Sequence, residues 1–85
     1  SMMTRADAAQ LFANVLVQQG SMLPNDQTVD ETLASFKDAA EIPENRRAAV
    51  VLCMQKGLIK GYTDGTFQPS RGFTRAEFAK LLTMI

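Results

Sequence analysis

Eighty-five residues suffice for one small domain, near the size at which a single core needs help from assembly, metals or disulfides. Nine basic side chains balance nine acidic ones, which argues against a general binder of nucleic acid or anionic membrane, and the absence of histidine removes the commonest general base. The single cysteine permits no intrachain disulfide, and no apolar run approaches the roughly 18 residues of a membrane span.

Ser1-Met2-Met3 lacks the features of a signal peptide, so the chain reads as a piece of something longer. Thr4 is placed to cap a first helix whose apolar residues Ala8, Leu11, Phe12, Val15 and Leu16 recur at helical spacing and predict one buried face. Gly20 stops it. Residues 21–35 are polar, with a turn expected at Pro24-Asn25-Asp26 and a short helix over residues 29–33. Phe36 re-enters the core, with Asp38 as a local cap or turn former. Pro43 suits the first turn of the next helix, where its missing N–H costs nothing, and the charge of Glu44 favours that end, so this helix is expected over residues 43–56.

The middle of that helix, residues 48–54, is apolar without interruption, unlike an amphipathic surface helix. Either the domain's own helices cover both flanks, or one flank meets another copy of the chain. Cys53 falls inside the run, so its thiol is expected to be buried. Gly57 closes the helix by taking the left-handed conformation that a helix C-terminus favours. Asp64-Gly65, flanked by apolar residues, predicts a tight turn. Thr74 and Glu77 form a capping box, with Phe73 and Phe78 at the positions of a hydrophobic staple. The last helix, with Phe78, Leu81, Leu82 and Ile85 on one face, repeats the first: Thr74-Arg75-Ala76-Glu77 matches Thr4-Arg5-Ala6-Asp7. The shorter aspartate predicts a weaker reciprocal bond in the first copy, although its charge still favours the helix N-terminus. These elements describe a small all-α, mainly helical domain.

Few places can carry chemistry. Arg75 and Arg5 each occupy the first helical position after a cap, beside free N–H groups and the positive end of the dipole, a setting suited to anions. The plainer reading is a solvated arginine paired with a nearby carboxylate. Asp64 lacks the alternating oxygen ligands of a calcium loop, since Lys60 and Tyr62 stand at those positions, and bonding within its own turn is the better account. Tyr62 and Phe67 flank the turn either as core plugs or as a platform for a sugar. Acidic residues dominate up to Glu44 and basic ones after it, which suits head-to-tail contacts or an anion site in the second half, and solvated helix faces explain it as well. Without histidine, an accessible thiol or a paired acid and base, an enzyme is not expected, and no basic stripe marks a recognition helix for DNA.

Phe36-x-Asp38, the run Gly57-Leu58-Ile59-Lys60-Gly61-Tyr62-Thr63-Asp64-Gly65-Thr66-Phe67-x-Pro69, and Thr74-Arg75-Ala76-Glu77-Phe78 together resemble the S-layer homology (SLH) module of bacterial cell-surface proteins. The resemblance covers residues 36–85 as one module and residues 1–20 as the closing helix of a preceding one, with 21–35 as a polar connector. It implies a mostly helical fold, usually in tandem modules, that tethers exoproteins non-catalytically, without a cofactor, to secondary cell-wall polysaccharide, often pyruvylated. By this resemblance Arg75 lines the groove that receives the polymer's negative groups and Arg5 matches the same motif, with Tyr62 and Asp38 completing the candidate ligand set. Thr4, Asp7, Gly57, Gly61, Asp64, Gly65, Thr74 and Glu77 then serve as structural motif residues. The family's usual Trp-Ala pair falls on Asn45-Arg46, and the chain has no tryptophan. That departure, with the apolar run of residues 48–54, favours the alternative expectation, a degenerate module that associates with other modules or with itself.

Overall fold

Strand β1 (Met3–Thr4) leads into helix α1 (Arg5–Gln18), followed by α2 (Asp26–Leu33), two 3-10 turns (Ala39–Glu41 and Glu44–Arg46), α3 (Arg47–Gln55), strand β2 (Gly72–Phe73) and α4 (Arg75–Leu82). These elements come from a computed structural model that describes residues 2–85. The fold is mainly helical. Its one sheet among the described residues is an antiparallel bridge pairing Met3 with Phe73 and Thr4 with Gly72. It accompanies the sequence repeat: Thr4 ends one strand and Thr74 directly follows the other, and the extended backbone of each threonine caps the next helix.

The helix stops form as the glycines predict. Gly57, at φ +73°, donates its N–H to Met54 O at 3.1 Å while Leu58 N–H reaches back to Cys53 O at 2.9 Å, which is the paired bonding of a Schellman motif. Gly20, at φ +104°, repeats it, with its own N–H on Val17 O and Ser21 N–H on Leu16 O. Two boundaries differ from expectation. Helix α2 starts at Asp26 because Asn25 caps it, the side-chain oxygen accepting from Thr28 N–H at 2.8 Å where a turn was expected. Helix α3 starts at Arg47, because Pro43 is extended (ψ 140°) and the next residues close a 3-10 turn through Arg46 N–H to Pro43 O at 2.9 Å.

Helix α3 is the centre of the core, lying against both α1 and α2 with Ala49, Val50, Val51, Leu52 and Cys53 all buried. The uninterrupted apolar run is thus explained by the domain's own helices on both flanks. Helix α1 meets α3 through a face richer in alanine than the sequence spacing indicated. Ala6, Ala8, Ala9, Phe12, Ala13 and Leu16 are buried, whereas Leu11 is exposed and Val15 half-buried. Small side chains allow close approach, close enough for the Cys53 thiol to donate to Ala9 O at 3.3 Å. Burial pushes that thiol up to about 12, which leaves it protonated and inert. Phe12 anchors the last helix by stacking on Phe78 with ring centres 4.5 Å apart, and meets Phe73 edge-on at 6.2 Å. The two staple residues therefore converge on α1. Helix α4 is otherwise peripheral, with no residue fully buried.

Candidate functional site

The glycine-rich loop after α3 is built as a tight reversal. Tyr62 N–H donates to Thr66 O at 2.8 Å and Gly65 N–H to Tyr62 O at 3.1 Å, while Gly65 takes φ +89°. This is a three-residue loop with glycine in its left-handed position; Asp64, although tolerant of positive φ, does not adopt it. Asp64 instead fastens the turn, accepting from Thr66 Oγ1 at 2.6 Å and Thr66 N–H at 3.0 Å. Those bonds, the hydroxyl first, hold its carboxyl below the usual range. Gly61 is needed for space, because a Cβ there would run into the ring of Phe36.

Asp38 is not a local cap. Its carboxylate reaches across the fold to accept Phe67 N–H at 2.9 Å on one oxygen and Gln68 N–H at 2.8 Å on the other. Charge-assisted bonds of this kind can hold a strained backbone in place, and Gln68 is strained, a non-glycine residue at φ 58°.

The N-terminus of α1 docks on this loop. Arg5 N–H donates to Arg71 O at 2.9 Å, Ala6 N–H to Pro69 O at 3.0 Å, and Asp7 N–H to Thr4 Oγ1 at 3.1 Å. The first-turn donors expected to be free beside Arg5 are thus all engaged. Arg5 itself is only 8% exposed. Its Nε donates to Phe67 O at 3.1 Å, its Nη2 bonds Lys60 O, and its guanidinium carbon lies 4.7 Å from the ring centres of both Tyr62 and Phe67. Burial pushes the Arg5 pKa down, Tyr62 opposes that and Arg71 adds to it. The cation is buried without a carboxylate, satisfied by carbonyls and aromatic faces. The Asp7 carboxylate makes no return bond to Thr4 N–H, in line with its shorter side chain, and pairs with Arg46 Nε at 3.3 Å.

The second copy of the motif is arranged differently. Thr74 and Glu77 complete their box: Glu77 N–H donates to Thr74 Oγ1 at 3.1 Å, and Glu77 Oε1 accepts from Thr74 N–H and Oγ1, each at 3.0 Å. The bond from Thr74 N–H contributes most to holding the Glu77 carboxyl below its usual range. Arg75 is exposed, and neither it nor Ala76 directs its N–H to an acceptor among the described residues. Arg75 is therefore the motif arginine that presents both a guanidinium and open helix donors to solvent.

Of the candidate ligand residues, Arg5, Tyr62 and Asp38 gather on the loop, while Arg75 stands at the outer helix. Sequence reasoning did not single out Arg71, whose guanidinium carbon lies 5.0 Å from the Tyr62 ring centre and whose Nη1 bonds Gln68 Oε1 at 3.2 Å. Nor did it find the left-handed Gln68, since glutamine carries no preference that signals positive φ.

The profile of the S-layer homology domain matches residues 35–79, more than half of the chain, from just before Phe36 through the capping box of α4. Cell surface glycoprotein 1 of Acetivibrio thermocellus is 38% identical over 79 residues, covering 93% of this chain and 3% of that protein. The cellulosome-anchoring protein of the same organism is 35% identical over 78 residues, covering 89% of this chain and 16% of that protein. The chain thus spans a small fraction of either relative, and no solved structure matches it. With the turn, the aspartate clamp and the capped Thr-Arg-Ala-Glu helix all in place, the matched profile assigns the chain to a family: it belongs to the S-layer homology domain family.

Proposed function

We propose that this module is a non-catalytic anchor that holds its parent protein to the cell wall by binding an anionic, often pyruvylated, secondary wall polysaccharide. Membership of the family sets the place of action at the bacterial cell surface or wall, and no helix among the described residues is long and apolar enough to cross a membrane. One relative is named a cellulosome-anchoring protein, which supports the reading. The observation that carries it is Arg75, exposed at the first position of α4 with two helix N–H groups open beside it. A guanidinium there offers a carboxylate two parallel hydrogen bonds, reinforced by the helix dipole. Arg5, Tyr62 and Asp38 shape the loop: the arginine as a buried brace, the tyrosine as its aromatic seat, the aspartate as the clamp on residues 67 and 68. Co-sedimentation with purified walls, before and after acid-labile pyruvyl groups are removed, tests the function. Retention by native walls and release from stripped walls is expected; equal retention would contradict an anionic ligand.

A second reading, association with other modules, is favoured by Asn45-Arg46, where Asn45 replaces the family's usual aromatic and Arg46 beside it forms an ion pair with Asp7. Its surface would not be α3, which is buried, and the exposed Leu82 and Met84 at the α4 end offer apolar contact instead.

A further inference from the structure

The cleft beside the Tyr62 loop is lined by Asp38, Glu41, Thr66, Gln68, Ser70 and Arg71. Three of these side chains are already engaged. Both oxygens of Asp38 accept backbone N–H groups, and Thr66 Oγ1 bonds Asp64 and Gln68. Arg71 is the cation of the cleft and is held at one edge only. Its side chain is bonded through Nη1 alone, to Gln68, and its other donors have no acceptor among the described residues. Arg5 and Arg71 both lie over the ring of Tyr62, and among the described residues neither has a carboxylate within ion-pair distance. Two like charges sharing one ring repel; the Glu77 carboxylate offsets both from a distance while its own bonds go to Thr74, which leaves the free edge of Arg71 open to a further anion.

We propose that Arg71 is a second contact of the glycan site and sets its specificity: the free edge of its guanidinium takes the carboxylate of an acidic sugar, and Ser70 takes an adjacent hydroxyl. This rests on the wall-polysaccharide reading above. The stack on Tyr62 and the bond to Gln68 hold the planar fork in advance, so little side-chain freedom is lost on binding. Gln68 is itself fixed by the Asp38 carboxylate, which accepts its N–H and that of Phe67 and so holds a left-handed backbone of a kind that clusters at functional sites. Exposed Glu41 at the rim disfavours a dense polyanion and suits one carboxylate set among hydroxyls. A lysine in place of Arg71 would supply the charge without the fork or the stack.

Tyr62 is the only tyrosine and there is no tryptophan, so the protein's intrinsic emission reports on this stack. The wild type, Arg71→Gln and Arg71→Lys, each checked by thermal melting, are titrated with a pyruvylated monosaccharide glycoside, with its methyl ester and with the native pyruvylated wall polymer. Tyrosine emission and the Arg71 Nε–Hε resonance are followed. The acid is expected to move both signals and the ester neither, with both variants binding acid and polymer about tenfold more weakly, the loss of one charge-assisted two-point contact. Arg71→Lys carries the test if the glutamine variant does not fold. Undiminished polymer binding by the Arg71 variants overturns this proposal and leaves the anchor standing. Equal binding of ester and acid overturns the carboxylate assignment, and failure of the wild type to bind the polymer overturns both the proposal and the anchor.

Discussion

Arg5 and Arg75 hold equivalent places in two copies of one motif, and only their neighbours distinguish them. Around Arg5 the loop supplies two carbonyls and two aromatic rings, while its carbonyls at residues 69 and 71 take the helix N–H groups; around Arg75 nothing comparable is present among the described residues. A motif therefore specifies a residue's local geometry, and the tertiary contacts decide whether it becomes a brace or a contact for solvent. Gly61 shows the same dependence. Its backbone needs no positive φ, yet a methyl group there would collide with Phe36, which packs edge-on against Phe67 with ring centres 5.7 Å apart. Gly61→Ala is expected to destabilise the domain by about 1–3 kcal/mol, the range for overpacking, as read from the midpoint of a urea melt. An unchanged midpoint would mean that Phe36 moves aside freely.

Capping separates the helices at the next scale. Helix α4 buries no residue fully, so its stability leans on Phe78 and on the box formed by Thr74 and Glu77, whereas α1 has a buried face to hold it. Thr74→Ala is accordingly expected to cost about 1 kcal/mol, measured by thermal melting. The box also makes a pH prediction. Because Glu77 has its pKa lowered in the folded state, its ionised form contributes stability that is complete above the unfolded value of about 4.3 and is lost as the pH falls through the folded value. Glu77→Gln should therefore lower the melting temperature at neutral pH and reduce the acid-induced drop seen below about pH 4.3; parallel melting curves for the two proteins would contradict the box as its source. These caps, like the glycine stops of α1 and α3, were legible because each depends on residues within a few positions. The clamp of Asp38 on residues 67 and 68 was not, since nothing near Asp38 in sequence announces a partner loop some thirty residues on.

For the molecule as a whole, the sequence carried the helical class and the apolar run of residues 48–54, but left open whether the domain's own helices or a second copy covers it. The structure answers with α1 and α2, and α1 does so through an alanine-rich face that keeps the expected Ala8, Phe12 and Leu16 while leaving Leu11 exposed and Val15 half-buried. Val51→Lys places a charge at a fully buried position and is expected to unfold the domain, seen as loss of cooperative melting by circular dichroism; a folded variant that merely changes its association state would return α3 to the role of an interface. The arrangement leaves Arg75 at the free end of α4, where the account locates the first contact with the wall. Calorimetric titration of native wall polysaccharide into the wild type and into folded Arg75→Ala tests this most directly. A loss of about tenfold or more in affinity, with binding by the wild type weakening as salt is raised, is the predicted result; equal, salt-insensitive binding by the two proteins would contradict it.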